Sequence, residues 1–147
     1  MIQQLVRQIA NQLTVEGGSP PIAPSYIHGQ KGWSNLKADK ITNTLIILFD
    51  PVQSDSKLIG NLMQDKYPLL MLFAEKSKLD WTPDQHLVVI DRMRTLCAQF
   101  IYKCTKSGLF SHIEDFVISD EYNAFDVCLS GVGLQIKLTP TIGAKPC

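Results

Sequence analysis

The chain has 147 residues, with 14 basic and 14 acidic side chains that cancel at neutral pH. A single domain of this length buries about 68–70% of the surface its unfolded chain exposes, so it needs no disulfide or metal to fold. Lys and Arg are scattered, so the broad basic face of a nucleic-acid binder is not evident in the sequence, which leaves open a local basic patch made in space. The longest apolar runs, Leu45 to Phe49 and Leu69 to Phe73, fall far short of the ~20 residues a membrane helix needs. The opening Met1-Ile2-Gln3-Gln4-Leu5 lacks the basic region and apolar core of a signal peptide, so cytosolic synthesis is expected.

Residues 2–14 predict an amphipathic helix. Ile2, Leu5, Val6, Ile9 and Leu13 recur at helical spacing, and Gln3, Gln4, Arg7, Gln8 and Gln12 fill the other face. A glutamine-rich face suits either solvent or burial against another subunit, because amides cost less to desolvate than ions. Gly17-Gly18 ends the helix, and Ser19 to Pro24 reads as an extended connector. Tyr26 to Gly29 predicts a short strand, and Gly29 to Trp33 a turn or bulge. Residues 43–50 predict a strand whose unbroken apolar run suits cover on both faces.

Residues 52–66 are polar around Leu58, Ile59, Leu62 and Met63, and read as a long loop or the arms of an extended hairpin. Those four are too apolar for a disordered tip, so they pack locally or meet a partner. A strand is expected over 67–74. Thr82-Pro83-Asp84-Gln85 then opens a helix running to Ser107-Gly108. Thr82 caps it, Pro83 takes the first helical position, and Gln85 completes a capping box. Val89, Ile90, Met93, Leu96, Cys97, Phe100, Ile101 and Cys104 form its apolar stripe. Asp84, Asp91, Arg92, Arg94, Gln99 and Lys103 are assigned to its outer face. Trp81 is expected to staple against His86 or Leu87. Trp33 and Trp81 are core lids or interface anchors.

Phe116-Val117-Ile118 is strand-like. The runs 122–129 and 132–138 predict a hairpin turning at Ser130-Gly131, with Val132, Leu134, Ile136 and Leu138 on its buried face. Residues 140–147 read as a loose tail. The fold class is α+β in one domain, 1–147. It has a mainly antiparallel or mixed sheet, with the N-terminal helix and the long second helix packed on one face.

Chemistry-bearing residues do not converge in the sequence. His28, His86 and His112 lie on separate elements and read as surface or structural residues. Ser111-His112 with Asp115 lacks a nucleophile elbow. Gly29-x-x-Gly32 is followed by no helix that would make it a phosphate cradle. Glu114, Asp115, Asp120 and Glu121 match no calcium-ligand series and read as a solvated turn. Cys97, Cys104, Cys128 and Cys147 show no zinc spacing, and the first two read as small core residues. No catalytic activity and no cofactor are expected.

Several segments carry a resemblance: Tyr67-Pro68-Leu69-Leu70-Met71-Leu72-Phe73; Leu79-Asp80-x-Thr82-Pro83-x-Gln85 with its long helix; and Asn123-x-Phe125-Asp126-Val127-x-Leu129-x-Gly131-Val132. These resemble small neck or tail proteins from phages of Bacteroidetes bacteria. The element order is similar to that of the tail terminator and tail-completion proteins of long-tailed phages. In that family an N-terminal helix, a β-hairpin with a long tip, a further strand, a second helix and closing strands make one protomer. The resemblance implies a homo-oligomeric ring, a hexamer, at the head-proximal end of the tail tube. Such a ring stops tube polymerisation and docks to the head connector. Its partners would be copies of itself, the tail tube protein and the head–tail connector. DNA would pass through without sequence-specific binding, and no membrane would be involved. The protein would sit in the virion neck or tail, after assembly in the host cytoplasm. On this reading Leu58, Ile59, Leu62, Met63, Trp33, Arg92 and Gln99 are the interface residues. The alternatives are another neck or head-completion connector, a small thiol-dependent enzyme using Cys97 or Cys128, and a bacterial adaptor domain.

Overall fold

Among the described residues, the elements follow in the order α1 (Ile2–Ala10), β1 (Ser25–Gly29), β2 (Leu45–Phe49), β3 (Asp55–Ile59), β4 (Leu62–Lys76), α2 (Pro83–Lys106), β5 (Phe110–Ala124) and β6 (Leu129–Pro140). This computed structural model describes residues 2–15, 24–29, 43–49, 52–124 and 128–143. The connector at 16–23, the turn at 30–33 with Trp33, and the segment 125–127 lie outside the described residues.

The fold is α+β, as expected. The sheet runs β1-β2-β4-β6-β5, with β3 paired only to β4. β1 is parallel to β2, and every other pairing is antiparallel. Both helices lie on one face of the sheet. Leu5, Val6 and Ile9 of α1 and Ile90, Met93, Leu96 and Phe100 of α2 share a core with Ile46, Met71, Phe73, Leu134, Ile136 and Leu138. The Phe73 and Phe100 rings sit 5.7 Å apart and tilted, an arrangement aromatic pairs favour. β2 is covered on both faces as its unbroken apolar run requires. Ile46 and Leu48 face the helices, while Leu45 and Ile47 join a second cluster with Ile27, Leu72, Ala74 and Leu129.

The start of α2 is built as its capping signal demands. Thr82 Oγ1 accepts from Gln85 N, and Gln85 Oε1 accepts from Thr82 N at 2.8 Å. Trp81 meets the His86 ring at 5.4 Å, as a staple would. At the other end Gly108 takes φ +72, the left-handed conformation that stops a helix at little steric cost.

Five expectations need correction. α1 ends at Ala10 rather than at residue 14, and Gln12 N and Leu13 N donate to Ile9 O and Ala10 O in a tightened last turn. The strand expected over 67–74 runs from 62 to 76, because its first residues pair with β3 across Gly60-Asn61. Gly60 holds φ +61 at the first central position of this turn, where a type II′ hairpin needs glycine. Ser130-Gly131 is no turn. Both residues lie inside β6, paired with Glu75 and Ala74, and the β5–β6 connection falls at 125–128. Gly131 is there because β4 passes too close for a side chain: a Cβ would lie 1.9 Å from the Phe73 carbonyl oxygen. Asp120 and Glu121 are strand residues opposite Val132 and Gly131, not a solvated turn. Pro140 ends β6, and Thr141 is tied down through its N–H to Leu109 O and its hydroxyl to Gly108 O; residues 144–147 lie outside the described residues.

Candidate functional site

The feature that leaves the body of the molecule is the β3–β4 arm. β6 pairs with β4 only from Tyr67 onward, opposite Leu138, so Leu62 to Lys66 pair with β3 alone. Five strand residues extend about 17 Å. At the tip Leu58 pairs with Met63, and Ile59 with Leu62. Their side chains are 76%, 64%, 52% and 54% exposed, respectively. The base of the arm is polar and held in place. Ser56 donates to Asp65, and Lys66 Nζ meets Glu114 Oε2 of β5 at 3.1 Å. Tyr67 donates to Asp65, and burial together with that carboxylate pushes its phenol above its ordinary value.

Beside the arm, β4 and β6 carry a groove of about 390 Å³ lined by Phe49, Pro68, Leu70, Asp115, Gln135 and Lys137. A β-bulge between Glu114 and Val117 shapes its rim. Asp115 adopts φ +47 there and reaches Lys137 Nζ at 3.4 Å.

Arg92 and Gln99 are not on the outer face of α2. Both are half-buried and line a second groove of about 400 Å³ with Thr14, Val15, Asp91, Thr95 and Leu96. Arg92 grips Glu75 of β4 through Nε at 3.1 Å and a second nitrogen, and Glu75 also accepts from Thr44. Gln99 Oε1 accepts from Thr14 N at 3.2 Å, just past α1. Both side chains are thus committed within the chain. The remaining interface candidate, Trp33, lies outside the described residues.

Sequence reasoning missed a buried polar chain. His86 Nδ1 lies 2.8 Å from Ser130 Oγ. Ser130 donates to Ser77 Oγ at 2.9 Å, and Ser77 donates to Cys128 O at 2.9 Å. That direction makes His86 Nδ1–H the first donor. Tyr122 meets the His86 ring edge-on at 5.4 Å, the same distance as Trp81. Ser130 is fully buried and His86 nearly so. The pair has the atoms of a nucleophile and its base but offers no approach to a substrate. Its members come from segments more than 40 residues apart, so no local signal announces them.

The other constellations stay apart. His112 Nδ1 contacts Ser111 Oγ at 3.2 Å, but Asp115 turns to Lys137. His28 sits on β1. Cys97 and Cys104 are fully buried in the core, and burial pushes both thiols up to about 12, leaving very little thiolate at neutral pH. Among the described residues, no three His, Cys, Asp or Glu side chains are placed to hold a metal ion, and no helix is long and apolar enough to cross a membrane.

No protein-family model matches the chain, and no curated protein matches it.

Proposed function

We propose that this protein is a structural subunit of a phage neck or tail. It works as a tail terminator: copies join into a closed ring at the head-proximal end of the tail tube, end tube polymerisation and dock to the head connector. The observation that carries the reading is the arm. Isolated exposed apolar residues are ordinary, but four contiguous ones on a projecting hairpin mark an interaction surface. The element order supports it. An N-terminal helix, a hairpin with a long tip, a second helix and closing strands fit the order that the resemblance to tail terminators implies; the further strand it places after the hairpin is absent among the described residues, since β4 leads directly to α2, and β1 and β2 precede the hairpin instead. Two features of this body suit assembly over chemistry. The ionisable groups that do meet are spent on salt bridges across elements. The net charge of zero leaves copies little mutual repulsion.

The test is mass in solution over a range of concentrations, with negative-stain images, followed by localisation in purified virions. A ring of defined size at the head-proximal end of the tail supports the reading. A ring at another level of the neck would make the protein a connector or head-completion subunit. Absence from virions would sink the reading.

A further inference from the structure

Each face of the arm tip holds one apolar cross-strand pair. Leu58 and Met63 make one face, and Ile59 and Leu62 the other. Two residues down the strands, the Leu58–Met63 face turns polar at the Ser56–Asp65 pair. Leu58 and Met63 are therefore the whole apolar content of that face between Asp55 and Lys66. Met63 is 64% exposed, while Met71 and Met93 are fully buried in the core. β6 does not reach this part of β4, so the body leaves the Met63 side chain uncovered. A thioether is soft and polarizable, and it meets a dissolved oxidant only where solvent reaches it. The fold thus sorts three identical side chains into one that an oxidant reaches and two that it does not.

We propose that Met63 is an oxidative modification site that sets how apolar the arm is. The co-reactant is a peroxide. A lone pair of the Met63 sulfur attacks one peroxide oxygen, the O–O bond breaks, and an S–O bond forms. Sulfur gives up two electrons. The peroxide is reduced to water, its leaving hydroxide taking the proton left on the transferred oxygen. The product, methionine sulfoxide, is polar and chiral. It stands beside Leu58 alone, so this face of the tip loses half of its apolar pair. The Met63 side chain already stands in water, so the new oxygen needs no partner from the protein. At Met71 or Met93 the same oxygen would sit in the apolar core without a hydrogen bond, which folding opposes. Modification therefore changes the surface and spares the body. The inference goes beyond the ring reading and stands without it. An oxidised copy offers a weaker tip to any apolar partner.

The experiment treats the dilute, folded full chain with hydrogen peroxide and follows each methionine peptide over time by mass spectrometry. A second sample is treated while unfolded in guanidinium. In the folded chain the Met63 peptide is expected to gain one oxygen about tenfold or more faster than the Met71 and Met93 peptides, and in the unfolded chain at the same rate as they do. Retention on a phenyl column then reads the surface. It is expected to shorten for the oxidised parent and to stay unchanged for peroxide-treated Met63→Leu, which keeps an apolar pair but has no sulfur at this position. Untreated Met63→Gln is expected to match the oxidised parent. The circular dichroism spectrum and thermal midpoint are expected to stay the same throughout. Equal oxidation rates for the three methionines in the folded chain overturn the inference. So does a retention shift of the same size in Met63→Leu, because other side chains would then carry it. A lost spectrum or lowered midpoint in the oxidised parent overturns it as well, because the modification would then act on the body.

Discussion

His86 Nδ1 and Ser130 Oγ lie 2.8 Å apart, and this bond ties the first turn of α2 to the start of β6 across 44 residues of sequence. It continues through Ser77 to the Cys128 carbonyl, so one line of donors fastens a helix, a strand and two connections. Trp81 and Tyr122 both contact the His86 ring at 5.4 Å.

Breaking that line leaves buried polar atoms without partners. Ser130→Ala strands the His86 Nδ1–H, and a stranded buried donor costs about 1–3 kcal/mol. Urea unfolding should show the loss as a shifted midpoint with an unchanged slope. A variant as stable as the parent would mean that the histidine finds another partner.

Gly131 and Gly60 should respond differently to alanine. At Gly131 the new methyl meets the Phe73 carbonyl at 1.9 Å, so backbone must move in the centre of the sheet. The expected cost is about 3 kcal/mol or more, at the upper end for overpacked sites. At Gly60 there is open space, and only the positive φ is strained, at about 1–2 kcal/mol. Thermal unfolding of the two variants side by side tests the order.

Cys97 and Cys104 give stability a distinct dependence on alkaline pH. Each thiol is raised from an ordinary 9.0 to about 12 by burial. Below pH 9 folded and unfolded chains both hold these protons, and the contribution is fully present. Between pH 9 and 12 the unfolded chain releases protons the folded one retains, so stability falls by about 1.4 kcal/mol per pH unit per thiol. Unfolding free energies measured from pH 8 to 11 should show this slope, and Cys97→Ala with Cys104→Ala should flatten it. The same burial predicts slow alkylation of both thiols in the folded protein.

Arg92 and Glu75 form a two-pronged pair at a half-exposed site. A double-mutant cycle with Arg92→Ala and Glu75→Gln should return a coupling of about 1 kcal/mol that shrinks as salt is added. A coupling of zero would mean that the Thr44 hydroxyl alone positions Glu75.

Local signals were legible along the chain wherever the deciding physics is local. The Thr82 capping box, the proline at the first helical position and the 3.6-residue stripe of α2 depend on residues a turn or two apart, and each is read directly. The unbroken run Leu45 to Leu48 announced a strand buried on both faces, because only such a site hides every side chain. The alternation of Val132, Leu134, Ile136 and Leu138 named the face toward the helices.

What remained hidden depends on residues distant in sequence. Ser-Gly is a turn signal when nothing else acts on it, yet Ser130-Gly131 is strand because β4 crosses close to Gly131 and His86 claims Ser130. Arg92 and Gln99 have the chemistry of an outer face, and only Glu75 and Thr14, brought in by the sheet and α1, turn them inward. Sequence alone determined the two helices, the strand at Leu45–Phe49 and the apolar character of Leu58, Ile59, Leu62 and Met63, since propensity and hydrophobicity belong to single residues and their near neighbours. Tertiary structure alone decided that these four stand on a projecting arm, because exposure depends on where the neighbouring strand β6 stops pairing.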